Sequence, residues 1–502
     1  MKKKIVQIIL ICGLVAVGIA GCQQADIQNV DETVSNEVQT EPMEQPENNN
    51  TAETAESEEP ADSVEFAETE DQTELPEAQE TGYIDSVLDT AEWRQGHMSS
   101  MGEVGFPVFV VEFPDVIYGD LMVSRQTLED WIFTGDDSVA GFYNTSSFGR
   151  LRMDGDIYYY TAKKSPEAYE QEAKGGYEYM LNDLDPLVAE IVEYFDGEVD
   201  FSKYNKDGDI FVDAFVIAVP YLEEKMDLQF WWPSYHPTSF NIADNTVITD
   251  FVLVEGPYDG YKEDFISSVK HELGHCLGLP DYYKPNNEDH TLNEYGMPGP
   301  AGVELMDTSD GGFSQFSKLQ LGWLTQEQVQ IMSDDADSET FLLPPAAEGG
   351  CLLIFPEGKK SDFHSEYLLV EYITPVGEWE SSVEQGGVRI LHAQAEISDT
   401  AFFSGGTGFK YEPSSLYYDS SNNGIRMLKL VNGDDFYHTG DTVTFDNTGA
   451  EQGNFGWYDR KGASVFSVDT SPATVSDPGF SIRIGDIQSD SGCIQVDVIR
   501  NP

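Results

Sequence analysis

FISSVKHELGHCLGLPDYY, residues Phe265 to Tyr283, decides how the rest of the chain is organised. Phe265, Ile266, Val269, Leu273 and Cys276 recur at three- and four-residue intervals, which predicts a helix with one buried stripe. His271 and His275 then project from one face, a single turn apart. Two neutral imidazoles so placed can hold one Zn²⁺ at about 2.0 to 2.1 Å each. Glu272 lies between them, where its carboxylate can take a proton from a water on the metal. Gly278, three residues after the second histidine, allows the chain to leave the helix through a left-handed turn. Leu279-Pro280-Asp281 can then swing back, making Asp281 the natural third ligand and leaving a fourth position open for water, as in catalytic zinc sites. Glu288, Asp289 and His290 follow closely enough to compete for that third place.

H-E-x-x-H alone arises by chance in ordinary helices, whereas the longer H-E-x-x-H-x-x-G-x-P-D is far more restrictive. With the motifs around it, this stretch resembles the immune inhibitor A-like bacterial metallopeptidases, a branch of the zincins related to the metzincins. The likeness covers roughly residues 95 to 325 and is weaker beyond. Val108 to Phe113, before Pro114-Asp115, looks like that family's opening strand, and Tyr143 to Leu151 (YNTSSFGRL) looks like its Ser-aromatic-Gly-basic segment. Gly302-Val303-Glu304-Leu305-Met306 is similar to a Met-turn. Phe313 to Trp323, ending in Leu-Gly-Trp, is similar to the closing helix. The resemblance implies that His271, His275 and Asp281 bind zinc, that Glu272 is the general base, that Met306 is a packing floor beneath the metal, and that peptide bonds of protein or peptide substrates are cleaved.

A second motif, YNKDGDIFVD from Tyr204 to Asp213, sets Asn205, Asp207, Asp209 and Asp213 at alternating spacings, as calcium loops do. It departs from that pattern at Asn205 and Ile210, and the twelfth position of an EF-hand register would be Val216, not Glu. A solvated turn before a strand accounts for the same residues. Phe230 to His236 (FWWPSYH) reads either as the lining of a substrate cleft or as an aromatic core loop. The remaining histidines are dispersed, and there is no G-x-S-x-G, P-loop or complete G-x-G-x-x-G.

The chain has 502 residues with 27 Lys+Arg against 91 Asp+Glu, a formal net charge of −64. Such an excess of carboxylate repels phosphate backbones, which excludes nucleic acid as a partner. From Gln23 to Gly82 there are 19 acidic residues and no Lys or Arg, a composition that cannot bury enough apolar surface to order itself. Residues 1–22 read as a targeting segment: Lys2 to Lys4, an apolar run from Ile5 to Ala20, and Ile19-Ala20-Gly21-Cys22, which resembles the lipobox of bacterial lipoproteins. Cys22 would then carry the lipid that anchors the protein in the cell envelope, with the acidic stretch as a tether. Cys276, Cys351 and Cys493 offer no C-x-x-C metal site and no disulfide framework, although one pair could bridge.

Runs rich in apolar, β-branched and aromatic residues predict strands at Pro107 to Phe113, Leu151 to Tyr160, Phe211 to Val219 and Val247 to Val254. Helical spacing is present in parts of Ser124 to Phe148. A further amphipathic helix is predicted over Glu178 to Phe195 with Met180, Leu184, Leu187, Ile191 and Tyr194 inward. After Thr325, Tyr367 to Tyr372, Thr442 to Phe445, Phe480-Ile482-Ile484 and Ile494-Val496-Val498 are strand candidates. The expected fold is α+β: a signal segment (1–22), an acidic linker (23–82), a zincin-like catalytic domain with a mixed sheet (83–325) and a β-sandwich-like C-terminal domain (326–502). The expected activity is that of an extracytoplasmic zinc endopeptidase. A surface binding lipoprotein with an inactive zincin domain is the alternative.

Overall fold

The structure, a computed structural model, describes residues 87–88, 97–174, 184–221, 231–282, 304–308, 311–333, 335–356, 358–375, 386–398, 408–410, 427–430, 437–444 and 480–500. The targeting segment with Cys22, the acidic linker, and Glu288, Asp289 and His290 lie outside them. It is a mixed α and β structure with few helices and several sheets.

The first sheet contains β1 (Gly102–Glu112), β2 (Leu151–Thr161), β3 (Val216–Val219), β4 (Ser234–Ala243) and β5 (Thr246–Glu255), in the order β2-β1-β3-β5-β4. All neighbours are parallel except β4, which runs antiparallel along β5 at the edge. Parallel neighbours need crossovers that cover both faces, so a central strand must be apolar on both sides. In β1, Val104, Phe106, Val108 and Val110 enter one core, and Phe109 and Val111 enter the other.

The crossovers are α1 (Arg125–Ile132) and α2 (Val139–Ser146) between β1 and β2, then α3 (Pro166–Lys174) and α4 (Asp185–Phe195) between β2 and β3. Ser124 and Ser138 start the first two by accepting the backbone N–H of Thr127 and Gly141, groups the helices leave unbonded. Leu187, Val188, Ile191 and Phe195 of α4 seal one face of the sheet. On the other lies α5 (Lys262–Cys276), through Phe265, Ile266, Val269 and Leu273. α6 (Leu305–Thr308) and α7 (Gln315–Gln320) complete that layer.

The later strands are β6 (Val329–Ile331), β7 (Ser338–Leu343), β8 (Cys351–Ile354), β9 (Glu366–Ile373), β10 (Gly387–Gln394), β11 (Ile397–Ser398), β12 (Gly408–Phe409), β13 (Leu428–Leu430), β14 (Thr442–Thr444), β15 (Phe480–Ile487) and β16 (Ile494–Arg500). They form sheets of order β13-β10-β9-β8-β6 and β14-β15-β16-β7, with β11-β12 as a separate pair. Leu352, Ile354, Leu368 and Val370 share one core with Ile482, Ile484, Val496 and Val498 of the other sheet. The opposite face of the first of these sheets, with Leu353, Leu369 and Leu391, belongs to the same core as α5, Phe316, Leu319 and Trp323. Apolar packing is therefore continuous from the metal-motif helix to β9 and β10.

Several expectations need correction. Phe211 to Val219 is a strand only over Val216–Val219, because Asp213 turns inward to accept the Gly105 N–H and interrupts the extended run. Tyr194 is exposed, and Phe195 takes the inward position four residues after Ile191. The closing helix is limited to Gln315–Gln320, with Gly322 at φ 72° just beyond it. Of the Phe230 to His236 run, Ser234 to His236 lie in the edge strand Ser234–Ala243 and not in an aromatic core loop; the strand's polar residues and Pro237 suit an edge, where donors need no ladder partner. Cys276, Cys351 and Cys493 are all free thiols. Among the described residues, no helix is long and apolar enough to cross a membrane.

Candidate metal centre

α5 ends in a turn that only glycine adopts without strain. Gly278 has φ 89°, its N–H bonds to the His275 carbonyl (2.8 Å), and the Leu279 N–H returns to the Gly274 carbonyl (3.1 Å). These two bonds make a Schellman motif, which reverses the chain toward the helix. Asp281 is thereby brought beside His271 and His275; ligand atoms of the three lie within 4.8 Å of one another, and no other such group exists among the described residues.

The geometry around each imidazole is set by the backbone. His271 Nδ1 lies 2.8 Å from the Leu305 carbonyl and His275 Nδ1 lies 2.8 Å from the Leu279 carbonyl. Carbonyls only accept, so both Nδ1 atoms carry hydrogen and each neutral ring turns its Nε2 lone pair inward. Those two Nε2 atoms converge on a single oxygen, Asp281 Oδ1, at 3.0 and 3.3 Å. Two lone pairs aimed at one carboxylate oxygen repel unless protons or a cation lie between them. The donor set suits zinc, and the spacing is near the ~3.3 Å between neighbouring ligands of a tetrahedral ion with bonds of about 2.0 to 2.1 Å.

The electrostatics describe the same mutual dependence. Burial alone would raise the Asp281 carboxyl, but His275 and His271 hold it well below the usual carboxylate range. Burial would lower His275, yet Asp281 pushes it up to about 9, and His271 is raised by the same partner. Burial lifts Glu272 above its ordinary value, against the opposing pull of the two histidines and the Tyr235 backbone N–H. A carboxylate so raised is better matched to accepting a proton near neutral pH.

Met306, on α6, is fully buried. A Cβ added at Gly274 would sit 2.5 Å from its Sδ, so the glycine inside H-E-L-G-H is what lets the Met306 side chain approach the helix. Tyr143, from the YNTSSFGRL stretch, donates its hydroxyl to the Lys270 carbonyl at 2.6 Å, one residue before His271. Of the aromatic run, Trp231 packs edge-on to Phe113, and the Tyr235 ring lies 6.0 Å from that of His275. His236 is lowered to about 4 by burial and by His275.

Sequence reasoning missed the carbonyls of Leu279 and Leu305, the Tyr235 N–H and the role of Gly274. Only Gly274 left a signal, as a glycine within a helix that a closely approaching neighbour explains.

The candidate calcium ligands do not gather in the same way. Asn205 Oδ1 accepts the Gly208 N–H, Asp207 Oδ1 the Asp209 N–H, and Asp209 Oδ1 the Phe211 N–H. Asp213 is buried; its Oδ2 takes the Gly105 and Lys206 N–H groups, whereas its Oδ1 has no hydrogen-bond partner. Burial pushes the Asp213 carboxyl up to about 7, with Asp207 and Asp209 adding to the rise against the two backbone donors. Because the folded pKa exceeds the unfolded ~3.9, stability falls as pH rises from ~4 to about 7 and stays reduced above. Asp213→Asn is therefore expected to raise the calcium-free melting temperature at pH 8 and to leave it unchanged near pH 4. At ~1.4 kcal/mol per unit the gain is a few kcal/mol at most. Calcium that raises the melting temperature of the parent chain alone would identify Asp213 as a ligand.

Comparison of the chain with protein-family models finds no match, and comparison with curated proteins finds no relative.

Proposed function

We propose that the protein is an extracytoplasmic, lipid-anchored, zinc-dependent endopeptidase with a zincin-like catalytic layer. The observation that carries this is the convergence of both inward Nε2 atoms on Asp281, with Glu272 between the histidines on the same helix. The H-E-x-x-H-x-x-G-x-P-D stretch and its likeness to immune inhibitor A-like metallopeptidases support peptide bonds as the target. The lipobox-like quartet ending at Cys22 supports the anchor.

His271, His275 and Asp281 would hold zinc, which would supply Lewis acidity and lower the pKa of water toward ~7. Glu272 takes the proton of the attacking water and returns it to the leaving amine. Leu305 and Leu279 keep His271 and His275 in the tautomer that presents Nε2. The negative charge of Asp281 would make the ion less electrophilic than three imidazoles would.

The test is hydrolysis of an unfolded protein substrate by the purified chain. A chelator is expected to abolish cleavage, and zinc added back in slight excess to restore it. Full activity in metal-depleted protein, or a chain that binds no zinc, overturns the proposal.

A further inference from the structure

Behind the candidate metal centre lies a buried polar network that the hydrolytic chemistry leaves unused. Glu304, fully buried, accepts the Ser314 N–H and, at 3.0 Å, the Ser317 hydroxyl. Ser317 has one hydroxyl proton, committed to that carboxylate, so Tyr282 donates to Ser317 Oγ across 3.1 Å. A second buried carboxylate, Glu371 on β9, accepts the Gln315 N–H at 3.0 Å and Nε–H of Arg389, its cross-strand partner on β10. Ser314 and Gln315 open α7, so carboxylates from two elements satisfy amides that the helix itself leaves unbonded.

Taking two carboxylates and a guanidinium out of water costs several kcal/mol per ion, and apolar residues of similar volume would join these layers as well. What distinguishes the network is where it ends. Glu304 precedes Leu305, whose carbonyl receives His271 Nδ1–H. Tyr282 follows Asp281 and gives its own N–H to the Met306 carbonyl at 2.9 Å. One carboxylate is thus a single residue from the group that orients one ligand and two hydrogen bonds from the residue beside another.

The geometry points to Glu304 as a positioning residue for the metal site, setting His271 through Leu305 and Asp281 through Ser317 and Tyr282, with the Glu371–Arg389 pair tying this frame to the second sheet. This rests on the metal assignment made above. It makes β9 and β10 part of what holds the ligands in place, although neither strand supplies one of the three.

The experiment titrates the full metal-depleted chain with Co²⁺, following visible absorption and competition with a chromogenic chelator. Tyr282→Phe, Ser317→Ala and Glu304→Gln are compared with Tyr160→Phe. The last removes a hydroxyl bonded to another buried carboxylate, Glu190 at 2.7 Å, in the core on the far side of the first sheet. The three network variants are expected to bind Co²⁺ about 10- to 100-fold more weakly and to shift its absorption bands, while Tyr160→Phe changes neither. Should Glu304→Gln fail to fold, Tyr282→Phe decides, since it deletes a single hydroxyl. Parental affinity and spectrum in Tyr282→Phe overturn the positioning role. A parent chain that binds neither Co²⁺ nor Zn²⁺ removes the metal assignment itself.

Discussion

Glu272→Gln is expected to lower turnover by about 10²- to 10⁴-fold, with zinc content and KM nearly unchanged. The substitution keeps the size of the side chain, and a neutral amide can still accept the Tyr235 backbone N–H that opposes the raised carboxyl in the parent. What it removes is the ability to accept a proton. The histidines and Asp281 keep their contacts with Leu305, Leu279 and one another, because Glu272 is not among them. The measurements are kcat on an unfolded protein substrate and zinc per chain by elemental analysis. Parental kcat in a zinc-loaded Glu272→Gln protein would sink the assignment of the base while leaving the metal site standing.

The second large effect belongs to Asp281. Asp281→Ala is expected to weaken zinc binding by at least ~100-fold, the upper end for loss of partners one shell further out. Its cause is local: among the described residues, this carboxylate is the one acidic group in direct contact with both inward nitrogens. Losing it also removes the strongest influence raising His271 and His275, leaving Glu272 and, for His275, the Leu279 carbonyl against burial. The metal-free parent should therefore lose stability as pH rises from ~6.5 toward about 9, the interval between the unfolded and folded values of His275. The same scan of Asp281→Ala should show a smaller loss. Removing one partner from a buried charged group costs ~3 to 5 kcal/mol, so the variant is expected to melt lower than the parent at neutral pH. Competition with a zinc indicator and thermal melts across pH check both parts. Equal zinc affinity in parent and variant would exclude Asp281 as a ligand.

What could be read from the chain in advance was what short sequence separations determine. Two histidines four apart, a glycine three further on and a carboxylate three beyond it all lie within one helix and its exit. Helical periodicity and the left-handed preference of glycine suffice to bring them together. Strands apolar on both faces, such as β1, and strands alternating strictly, such as β15 and β16, were legible for the same reason. β4 was not, because an edge strand carries no buried row, and its Ser, His, Pro and Asn residues resemble a loop. The end of the Phe211 to Val219 run was misjudged because Asp213 is claimed by Gly105, 108 residues earlier. Glu304, Ser317 and Glu371 were silent for a related reason: each is an ordinary polar residue until the sheets are stacked. The sequence carries no sign of which amide or hydroxyl it will meet.

The meeting of two imidazole nitrogens at one carboxylate oxygen has a last consequence. Without an ion the cluster is held by hydrogen ions in the same space. Loading is then an exchange, in which up to two protons depart for each divalent ion that enters. Acidity and metal scarcity consequently push in one direction, and an acid milieu is expected to empty the site by the same route as a chelator.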